Sequence, residues 1–213
     1  DETMQIKGGR GYETADSLRN RGESADPIER MMRDCRINNI FEGSSEIMRL
    51  FIAREALDPH LRKGAAALDS RKSIFTRLKT AASAGLFYAR WYPKQYFPSR
   101  VHLPADLNPS LYVELLRIER ISRKLSKQLF HSMLRHGPKL ERQQLLLGRL
   151  VNIGTELFAM SCACGRANLL NQQHFERHQV EFEHNDPDRT IETAKYICAR
   201  GQHRIRRWLL ELN

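Results

Sequence analysis

Two long stretches of helical periodicity limit what this chain can fold into. In residues 110–136, apolar side chains recur every three or four positions, while Arg and Lys fill the opposite face. Residues 139–171 repeat the pattern and add small residues that allow a neighbouring helix to approach closely. Gly137 and Pro138 separate the two stretches, so we predict an antiparallel pair of long helices.

The expected core of this pair lies on one face of each helix. Its members in the first helix are Leu111, Leu115, Ile118, Ile121, Leu125, Leu129 and Met133. Its members in the second helix are Leu147, Leu150, Ile153, Leu157, Met160 and Cys164. The small residues of the second helix are Gly154, Ala163, Gly165 and Ala167.

Shorter helical patterns surround this pair. Helices are expected over 27–40, 45–58, 71–90 and 188–212. Gly8, Gly9 and Gly11 are expected to end a first short helix, and residues 13–26 to form a loop with about one helical turn. The apolar faces predicted for the second and third helices are Ile28, Met31, Met32, Cys35 and Ile40, and Ile47, Leu50, Phe51 and Leu57.

Prolines mark the breaks in this pattern. Pro59 is expected to end the helix over 45–58, and several prolines predict that 91–109 is an irregular connection. No segment alternates polar and apolar residues as a strand would. The predicted fold class is therefore all-α, a bundle of antiparallel helices.

A single carboxylate, Glu42, stands between an apolar run and a Gly-Ser turn. Ile40 and Phe41 precede it and can desolvate it, which makes a carboxylate a stronger base. Gly43 and Ser44 follow, where the start of a new helix would offer free N–H groups to an anion or cofactor. The pattern fits a general base beside an activated substrate, but taken alone it is more often an ordinary helix cap, because spacing alone is weak evidence.

The residues around Glu42 resemble the acyl-CoA dehydrogenase family. There, Arg-Asp, a short apolar helix end and Glu-Gly-Thr precede a helix that ends near Ala-Arg-Glu. Here the matching residues are Arg33-Asp34, Glu42-Gly43-Ser44 and Ala53-Arg54-Glu55. Upstream, residues 5–12 (Gln-Ile-Lys-Gly-Gly-Arg-Gly-Tyr) are similar to the family's Gln-x-x-Gly-Gly-x-Gly-aromatic turn. The strong resemblance covers residues 1 to about 60, and the rest looks like the extra helical region of very-long-chain acyl-CoA dehydrogenases.

The resemblance implies three segments. Residues 1–60 would be the C-terminal end of the helical core, 61–109 a helix and irregular linker, and 110–213 an appended helical bundle domain. The chain would then be a piece of a longer enzyme. We expect that this piece alone neither holds FAD firmly nor turns over substrate.

The resemblance also implies roles for particular residues. Glu42 would be the catalytic base that removes the α-proton of the substrate while the β-hydride passes to FAD, and Gly43 would leave room for the acyl chain. The positions that match FAD contacts are Gln5, Gly8, Gly9, Ser44 and Glu46. In the family, Ser44 and Glu46 match contacts within one subunit, whereas the other three match contacts to the neighbouring subunit's FAD. Arg33 and Asp34 are expected to form a structural ion pair.

The intact enzyme would oxidise a fatty acyl-CoA to the trans-2-enoyl-CoA in fatty acid β-oxidation and pass electrons to an electron-transfer flavoprotein. The FAD site shared between subunits implies a homodimer or larger assembly. The location implied is the bacterial cytoplasm or the mitochondrial matrix. The alternatives are a helical module that docks on a membrane or partner without catalysis, and a helical protein that kept the core only as a scaffold.

Charge is unevenly distributed along the chain, whose net charge is +10. Residues 1–60 hold 9 Lys/Arg and 12 Asp/Glu, whereas the remainder holds 26 and 13. This basic excess indicates an anionic partner or a solvated basic face. No nucleic acid partner is expected, because no binding motif supports one. The aromatic and basic stretch 87–97 favours either a membrane interface or packing onto the core or a second subunit.

Neither the cysteines nor the histidines predict a metal site. Cys35, Cys162, Cys164 and Cys198 form no CxxC pair, and His174, His178 and His184 lack ligand spacing. Cys162 and Cys164 are expected to act as compact apolar side chains, and the cysteine usage favours a reducing compartment. No apolar run approaches the ~20 residues of a membrane span, and no signal peptide is recognised.

Overall fold

The computed structural model describes residues 2–41, 43–68, 71–98, 103–176 and 187–212, and the regular structure in these ranges is helical. The α-helices are α1 (Glu2–Lys7), α2 (Gly9–Tyr12), α3 (Ala15–Asn20), α4 (Ile28–Ile37), α5 (Ser45–Leu68), α6 (Ile74–Lys94), α7 (Pro109–His136), α8 (Gln144–Glu176) and α9 (Pro187–Leu210). A 3₁₀ helix, Gly137–Arg142, joins α7 to α8. The all-α prediction is confirmed.

The chain forms two compact units. The N-terminal unit is Asp1–Phe51 and the C-terminal unit is Ile52–Asn213. The division of the chain at 60 and 109 that the sequence suggested stays a prediction.

Helices α7, α8 and α9 form an antiparallel three-helix bundle in the C-terminal unit. The backbone N–H of Asn108, before α7, donates to the side chain of Asn168 near the end of α8 at 2.8 Å. Arg149, near the start of α8, pairs with Glu211, just after α9, at 3.0 Å. Both contacts join the beginning of one helix to the end of another, so neighbouring helices run in opposite directions.

Most residues of the predicted apolar faces belong to two clusters, of which the larger is the core of the bundle. Its fully buried side chains are Leu111, Ile153, Met160, Cys164, Cys198 and Ile205. A second cluster consists of Ala53, Leu57, Leu140, Leu147 and Val151, with Leu129 and Met133 packed against it. Burial of a Leu or Ile side chain contributes about 1.5–3 kcal/mol, so these two clusters supply most of the hydrophobic stabilisation of this unit.

One close helix contact was not predicted. Gly201 of α9 is buried, and a Cβ placed on it would lie 2.7 Å from Sδ of Met160 on α8. At Gly165 the expectation of a close approach is wrong, because a Cβ there would meet nothing within 4 Å. Gly154 faces Leu125 at an ordinary contact distance of 3.7 Å.

Two helix ends predicted from proline are wrong. Helix α5 continues through Pro59, and α6 continues through Pro93 to Lys94, so residues 91–94 are not part of an irregular connection. A proline inside a helix costs about 3 kcal/mol. Tertiary contacts beside each proline offset that cost, since Leu57 is buried before Pro59 and the rings of Trp91 and Tyr92 pack on Phe130.

The N-terminal unit buries few apolar side chains. Among its described residues, only Gly11 and Leu18 are buried, so Leu18 supplies the one buried apolar side chain. The prediction that Ile47 and Phe51 face a core is wrong within this unit, because they are 61% and 57% exposed. The apolar side of α4 lines a groove of about 350 Å³ with α1 instead of being buried, and Met31 is 54% exposed.

Residues 13–26 contain the short helix α3 and are held by ion pairs. Lys7 pairs with Asp26 at 2.6 Å. Arg10 pairs with Glu23, and Nε of Arg10 donates a hydrogen bond to the Glu23 carboxylate. This hydrogen bond lowers the pKa of Glu23. Contacts of α1 and α2 with the segment that follows them therefore shape the N-terminal unit.

One described helix, over 144–172, is long and apolar enough to cross a membrane by length and composition. The core helix of a soluble protein can have the same length and composition, and 33% of the most apolar 18-residue segment of this helix is buried. Its most buried residues, Ile153 and Met160, belong to the core of the bundle.

Candidate functional site

The turn between α4 and α5 is organised by Asn39. Its carbonyl accepts from the Ser45 N–H at 3.3 Å, and its side-chain Oδ1 accepts from the Ser45 hydroxyl at 3.1 Å. The N–H of Phe41 donates to the carbonyl of Ile37 at 2.8 Å and continues the last turn of α4. These bonds fix the chain on both sides of position 42. Sequence reasoning missed Asn39, although an Asn before a turn is a common signal for side-chain bonding to nearby backbone.

Gly43 has a backbone conformation that glycine adopts most easily. Its φ is +114°, and a Cβ at this position would also lie 3.2 Å from Sδ of Met48. Glycine lacks the steric penalty that other residues meet at such angles. The backbone therefore gives a reason for glycine here that is independent of any substrate.

Ser44 and Glu46 lie at the start of α5. The carbonyl of Ser44 accepts the N–H of Met48 at 3.0 Å, which is the first hydrogen bond of the helix. The side chain of Glu46 is 76% exposed and lies 3.9 Å from Arg49. The first turn of α5 thus presents a hydroxyl residue and an accessible carboxylate at a helix end that carries partial positive charge.

Glu42 lies outside the described residues. Its two apolar neighbours are described, and Ile40 is 66% exposed and Phe41 61% exposed. The expectation that these side chains desolvate the carboxylate concerns a residue outside the described ranges and stays a prediction.

Gln5, Gly8 and Gly9 lie where α1 gives way to α2. Gly8 has a φ of +60° and ends α1, as predicted, and its N–H donates to the carbonyl of Gln5 at 3.1 Å. Gly9 begins α2, so the prediction that it ends a helix is wrong. Gln5, Gly8 and Gly9 are exposed, and a Cβ at either glycine would meet nothing within 4 Å. This turn leaves open space into which another molecule can approach the backbone closely.

Gly11 is small for a different reason. A Cβ at this position would lie 2.6 Å from the carbonyl oxygen of Met4, so α1 and α2 can fold against each other only with glycine here.

The structure does not join the two groups of predicted site residues. In the part of the chain that is described, no hydrogen bond or ion pair connects Gln5 to Ser44 or Glu46.

The prediction that Arg33 and Asp34 form an ion pair is wrong, because adjacent residues on a helix point in different directions. Arg33 pairs with Glu29 at 2.6 Å and Asp34 lies 3.8 Å from Arg30, each at i,i+4 spacing.

Three aromatic residues of stretch 87–97 pack inside the C-terminal unit. Tyr88, Trp91 and Tyr92 contact Phe130 of α7, with ring centroids 4.8, 5.7 and 5.4 Å away. Nδ1 of His60 lies 3.0 Å from the Tyr88 hydroxyl, and burial lowers the pKa of His60. Neither of the two roles considered from sequence includes this contact with α7.

The cysteines divide into an exposed and a buried pair. Cys35 and Cys162 are exposed, so the prediction that Cys162 packs as an apolar side chain is wrong, whereas Cys164 is buried as predicted. Sγ of Cys164 lies 3.5 Å from Sγ of Cys198 across α8 and α9. Within the described ranges no group of His, Cys, Asp and Glu could hold a metal ion, and His178 and His184 lie outside them.

Comparison with known proteins assigns this helical chain to a family. The family model "Acyl-CoA dehydrogenase, C-terminal domain" matches residues 1–57, the region that contains both motifs. The probable acyl-CoA dehydrogenase FadE10 of Mycobacterium tuberculosis is 51% identical over 169 residues, which are 78% of this chain and 26% of that protein. The chain belongs to the acyl-CoA dehydrogenase family.

More distant relatives match a similar share of the chain. The very long-chain specific acyl-CoA dehydrogenase, mitochondrial, of Homo sapiens is 27% identical over 174 residues, which are 79% of this chain and 24% of that protein. The protein of the same name from Bos taurus is also 27% identical, over 174 residues that are 79% of this chain and 24% of that protein. The chain spans about a quarter of the length of the curated relatives it matches. No solved structure matches it significantly.

Proposed function

We propose that this chain is the C-terminal part of a FAD-dependent acyl-CoA dehydrogenase whose catalytic base is Glu42. The observation that carries the proposal is the Glu-Gly-Ser turn between α4 and α5, which lies in the region that matches the family. Its support from the structure is the fixed backbone on both sides of position 42, where Asn39 binds Ser45 and Gly43 adopts a positive φ.

Glu42 would remove a proton from the carbon next to the thioester carbonyl of a fatty acyl-CoA. Such a proton is weakly acidic, so the carboxylate must be shielded from water and held close to the carbon. Ile40 and Phe41 would supply that shield once another surface covers them. Gly43 would leave room for the acyl chain, because a larger residue there would project a side chain beside the base.

The residues proposed to hold FAD fit such a group. Gln5 offers an exposed amide, and the open space at Gly8 and Gly9 allows a nucleotide to approach the backbone. Ser44 and the first N–H groups of α5, with Glu46 beside them, would hold the FAD of the same subunit, whereas Gln5, Gly8 and Gly9 would reach the FAD of the neighbouring subunit. FAD, when bound, supplies the acceptor for the hydride from the β-carbon.

The rest of the proposal concerns the whole protein. Its substrate would be a fatty acyl-CoA, its electron acceptor an electron-transfer flavoprotein and its assembly a homodimer or larger. The family match and the names of the relatives support this class of oxidoreductase. The bacterial relative favours the cytoplasm and the animal relatives favour the mitochondrial matrix as the place of action.

We propose further that this chain by itself does not retain FAD or turn over substrate. The exposed apolar residues of its N-terminal unit support this, because Ile6, Ile40, Phe41, Ile47 and Phe51 need a covering surface to form a water-excluding site. A flavin absorbance spectrum that persists through gel filtration of the 213-residue chain would contradict this statement.

The decisive experiment is a substitution in the intact protein. Glu42→Gln removes the base and keeps the shape, so we expect loss of acyl-CoA oxidation by a factor of at least about 100, with FAD still bound. Glu55→Gln, an exposed carboxylate on α5, is the matched control and should keep the parent rate. Equal activity of Glu42→Gln and the parent would remove Glu42 from the chemistry.

A docking role for the C-terminal unit is the second candidate. The observation that favours it is the outer face of α6, where Ile74, Phe75 and Leu78 are 82%, 77% and 68% exposed beside Lys and Arg. Co-sedimentation with anionic liposomes at low and high salt tests it. Binding that weakens with salt and is lost in Phe75→Ser supports docking on a membrane, and no binding at either salt concentration rules it out.

A further inference from the structure

A groove of about 510 Å³ lies between α7 and α9 in the C-terminal unit. Lys124 and Lys127 of α7 and Arg206 of α9 line it, and Tyr96, after the end of α6, stands at its side. None of its described lining residues is a carboxylate. We call this feature the cationic groove.

The three cations of the cationic groove lack carboxylate partners in the described part of the chain, whereas three other cations on the same helices have them. Arg117 pairs with Glu114 at 2.6 Å, Arg123 with Glu119 at 2.8 Å and Arg204 with Glu156 at 3.3 Å. Within the described residues, by contrast, Lys124 and Arg206 make no ion pair, and Nζ of Lys127 lies 4.0 Å over the ring of Tyr96. Three uncompensated positive charges on one concave surface create a local field that attracts a ligand with more than one negative charge.

Hydrogen bonds support one side of the groove. The hydroxyl of Tyr92 lies 3.0 Å from the hydroxyl of Tyr96 and 2.8 Å from Nε2 of His131. Tyr92 itself packs on Phe130. Tyr96, and with it Lys127, is therefore held in place by Tyr92, which is itself anchored on Phe130 and His131 of α7.

The floor of the groove is apolar. Ile205 is 1% exposed, and Ile121 and Leu209 are partly buried against the same core. A volume of about 510 Å³ lies within the range of small-molecule sites and is much larger than a bare inorganic anion requires. A ligand that fills the groove thus combines a multiply charged anionic group with an apolar body.

We propose that the cationic groove binds an organic phosphate with an apolar chain. Its phosphate would lie among Lys124, Lys127 and Arg206, because a dianion neutralises more of their charge than a carboxylate does and matches the donor fork of arginine. Its apolar chain would lie on Ile121, Ile205 and Leu209. The same phosphate chemistry is available from a single soluble molecule and from a lipid headgroup in a bilayer, and we assign the groove to the single molecule.

The test is binding of alkyl phosphates to the 213-residue chain by isothermal titration calorimetry. Dodecyl phosphate below its micelle concentration should bind, and each added methylene should improve affinity by up to about fourfold. Inorganic phosphate should bind at least about tenfold more weakly, because it cannot use the floor. Equal affinity for the two phosphates, or no binding of dodecyl phosphate at millimolar concentration, would overturn the proposal.

A pair of double variants separates the groove from the general basic charge. Lys124→Gln with Arg206→Gln should weaken dodecyl phosphate binding at least about tenfold, because two of the three proposed phosphate partners are removed. Arg135→Gln with Arg166→Gln removes the same charge from exposed sites outside the groove and should change affinity less than about twofold. An equal loss in both double variants would mean non-specific attraction and would refute the assignment.

Hydrogen exchange and vesicles complete the test. Dodecyl phosphate should protect amides within 121–131 and 202–210, and protection confined to other helices would contradict the proposal. Binding to vesicles that contain a phosphate lipid, with no binding of the monomeric alkyl phosphate, would assign the groove to a membrane surface instead. Circular dichroism checks that each variant folds, and the single variants Lys124→Gln and Arg206→Gln serve if a double variant does not.

Discussion

The contact between Gly201 and Met160 predicts the effect of one added methyl group. Gly201 lies inside α9, where Ala is favoured over Gly by about 0.8–1.0 kcal/mol in helix propensity. In Gly201→Ala the new Cβ would lie 2.7 Å from Sδ and 2.9 Å from Cγ of Met160, and 3.1 Å from Oε1 of Glu156. Met160 is fully buried, so its side chain cannot swing into solvent. Overpacking of this kind costs about 1–3 kcal/mol.

The two effects oppose each other, and overpacking should win. We expect the free energy of unfolding of Gly201→Ala to be lower than that of the parent by up to about 2 kcal/mol. Gly165→Ala is the matched control, because it adds the same methyl group inside α8 where nothing lies within 4 Å. It should stabilise the chain by about 1 kcal/mol, so that the two variants differ by about 1–3 kcal/mol.

Urea unfolding followed by tryptophan fluorescence measures this difference. Both tryptophans, Trp91 and Trp208, belong to the C-terminal unit, so the signal reports the unit that contains the substitution. Met160→Ala should cost less in the Gly201→Ala background than in the parent, because the smaller side chain relieves the overlap. If Gly201→Ala proves as stable as Gly165→Ala, the reasoning from the close contact is refuted.

Three further predictions concern other parts of the chain. Burial lowers the pKa of His60 below its usual value near 6.5, so neutral His60 contributes stability above about pH 6.5 that is lost as the pH falls. The midpoint of urea unfolding should therefore drop between about pH 7.5 and 5.5. This drop should shrink in His60→Gln but not in His203→Gln, a control at an exposed histidine. An aromatic disulfide reagent should react quickly with the exposed thiols of Cys35 and Cys162 and should reach Cys164 and Cys198 only after unfolding, because both of these thiols are buried. Four fast thiols in the native chain would contradict this. Gly11→Ala should speed hydrogen exchange of the amides of α1 and α2, because its Cβ would lie 2.6 Å from the carbonyl oxygen of Met4. Gly9→Ala is the control and should leave exchange unchanged, because a Cβ there would meet nothing within 4 Å. Equal exchange in the two variants would argue against a close packing of these helices.

The sequence predicted the bundle best where periodicity is long. Helix α7 matches the expected 110–136 to within one residue, and the apolar face predicted for α8 is buried. Pro59 and Pro93 misled the local reasoning, because a proline cost of a few kcal/mol is offset by packing that local sequence does not show. Gly201 was missed for the same reason, since its neighbour Met160 is distant in sequence.

The candidate site was predictable only as a set of positions. Resemblance pointed to Gln5, Gly8, Ser44 and Glu46, and the structure places them at helix ends where backbone groups are accessible. Their roles stay predictions. The exposure of Ile40 and Phe41 could not be predicted, because apolar periodicity identifies a face that seeks cover and does not say whether the cover is present. The cationic groove combines residues from three separate helical regions, so no local pattern could reveal it.

The arrangement of α8 in the bundle has a consequence for synthesis of the chain. A ribosome releases α8 before α9, so the surface that α9 later covers is first presented to the cell as an open apolar stripe. During that interval α8 resembles the nascent segments that chaperones and membrane-targeting factors recognise. Ribosome stalling or premature termination between the two helices should therefore yield products that aggregate or adhere to membranes, although the finished chain keeps Ile153 and Met160 inside its core.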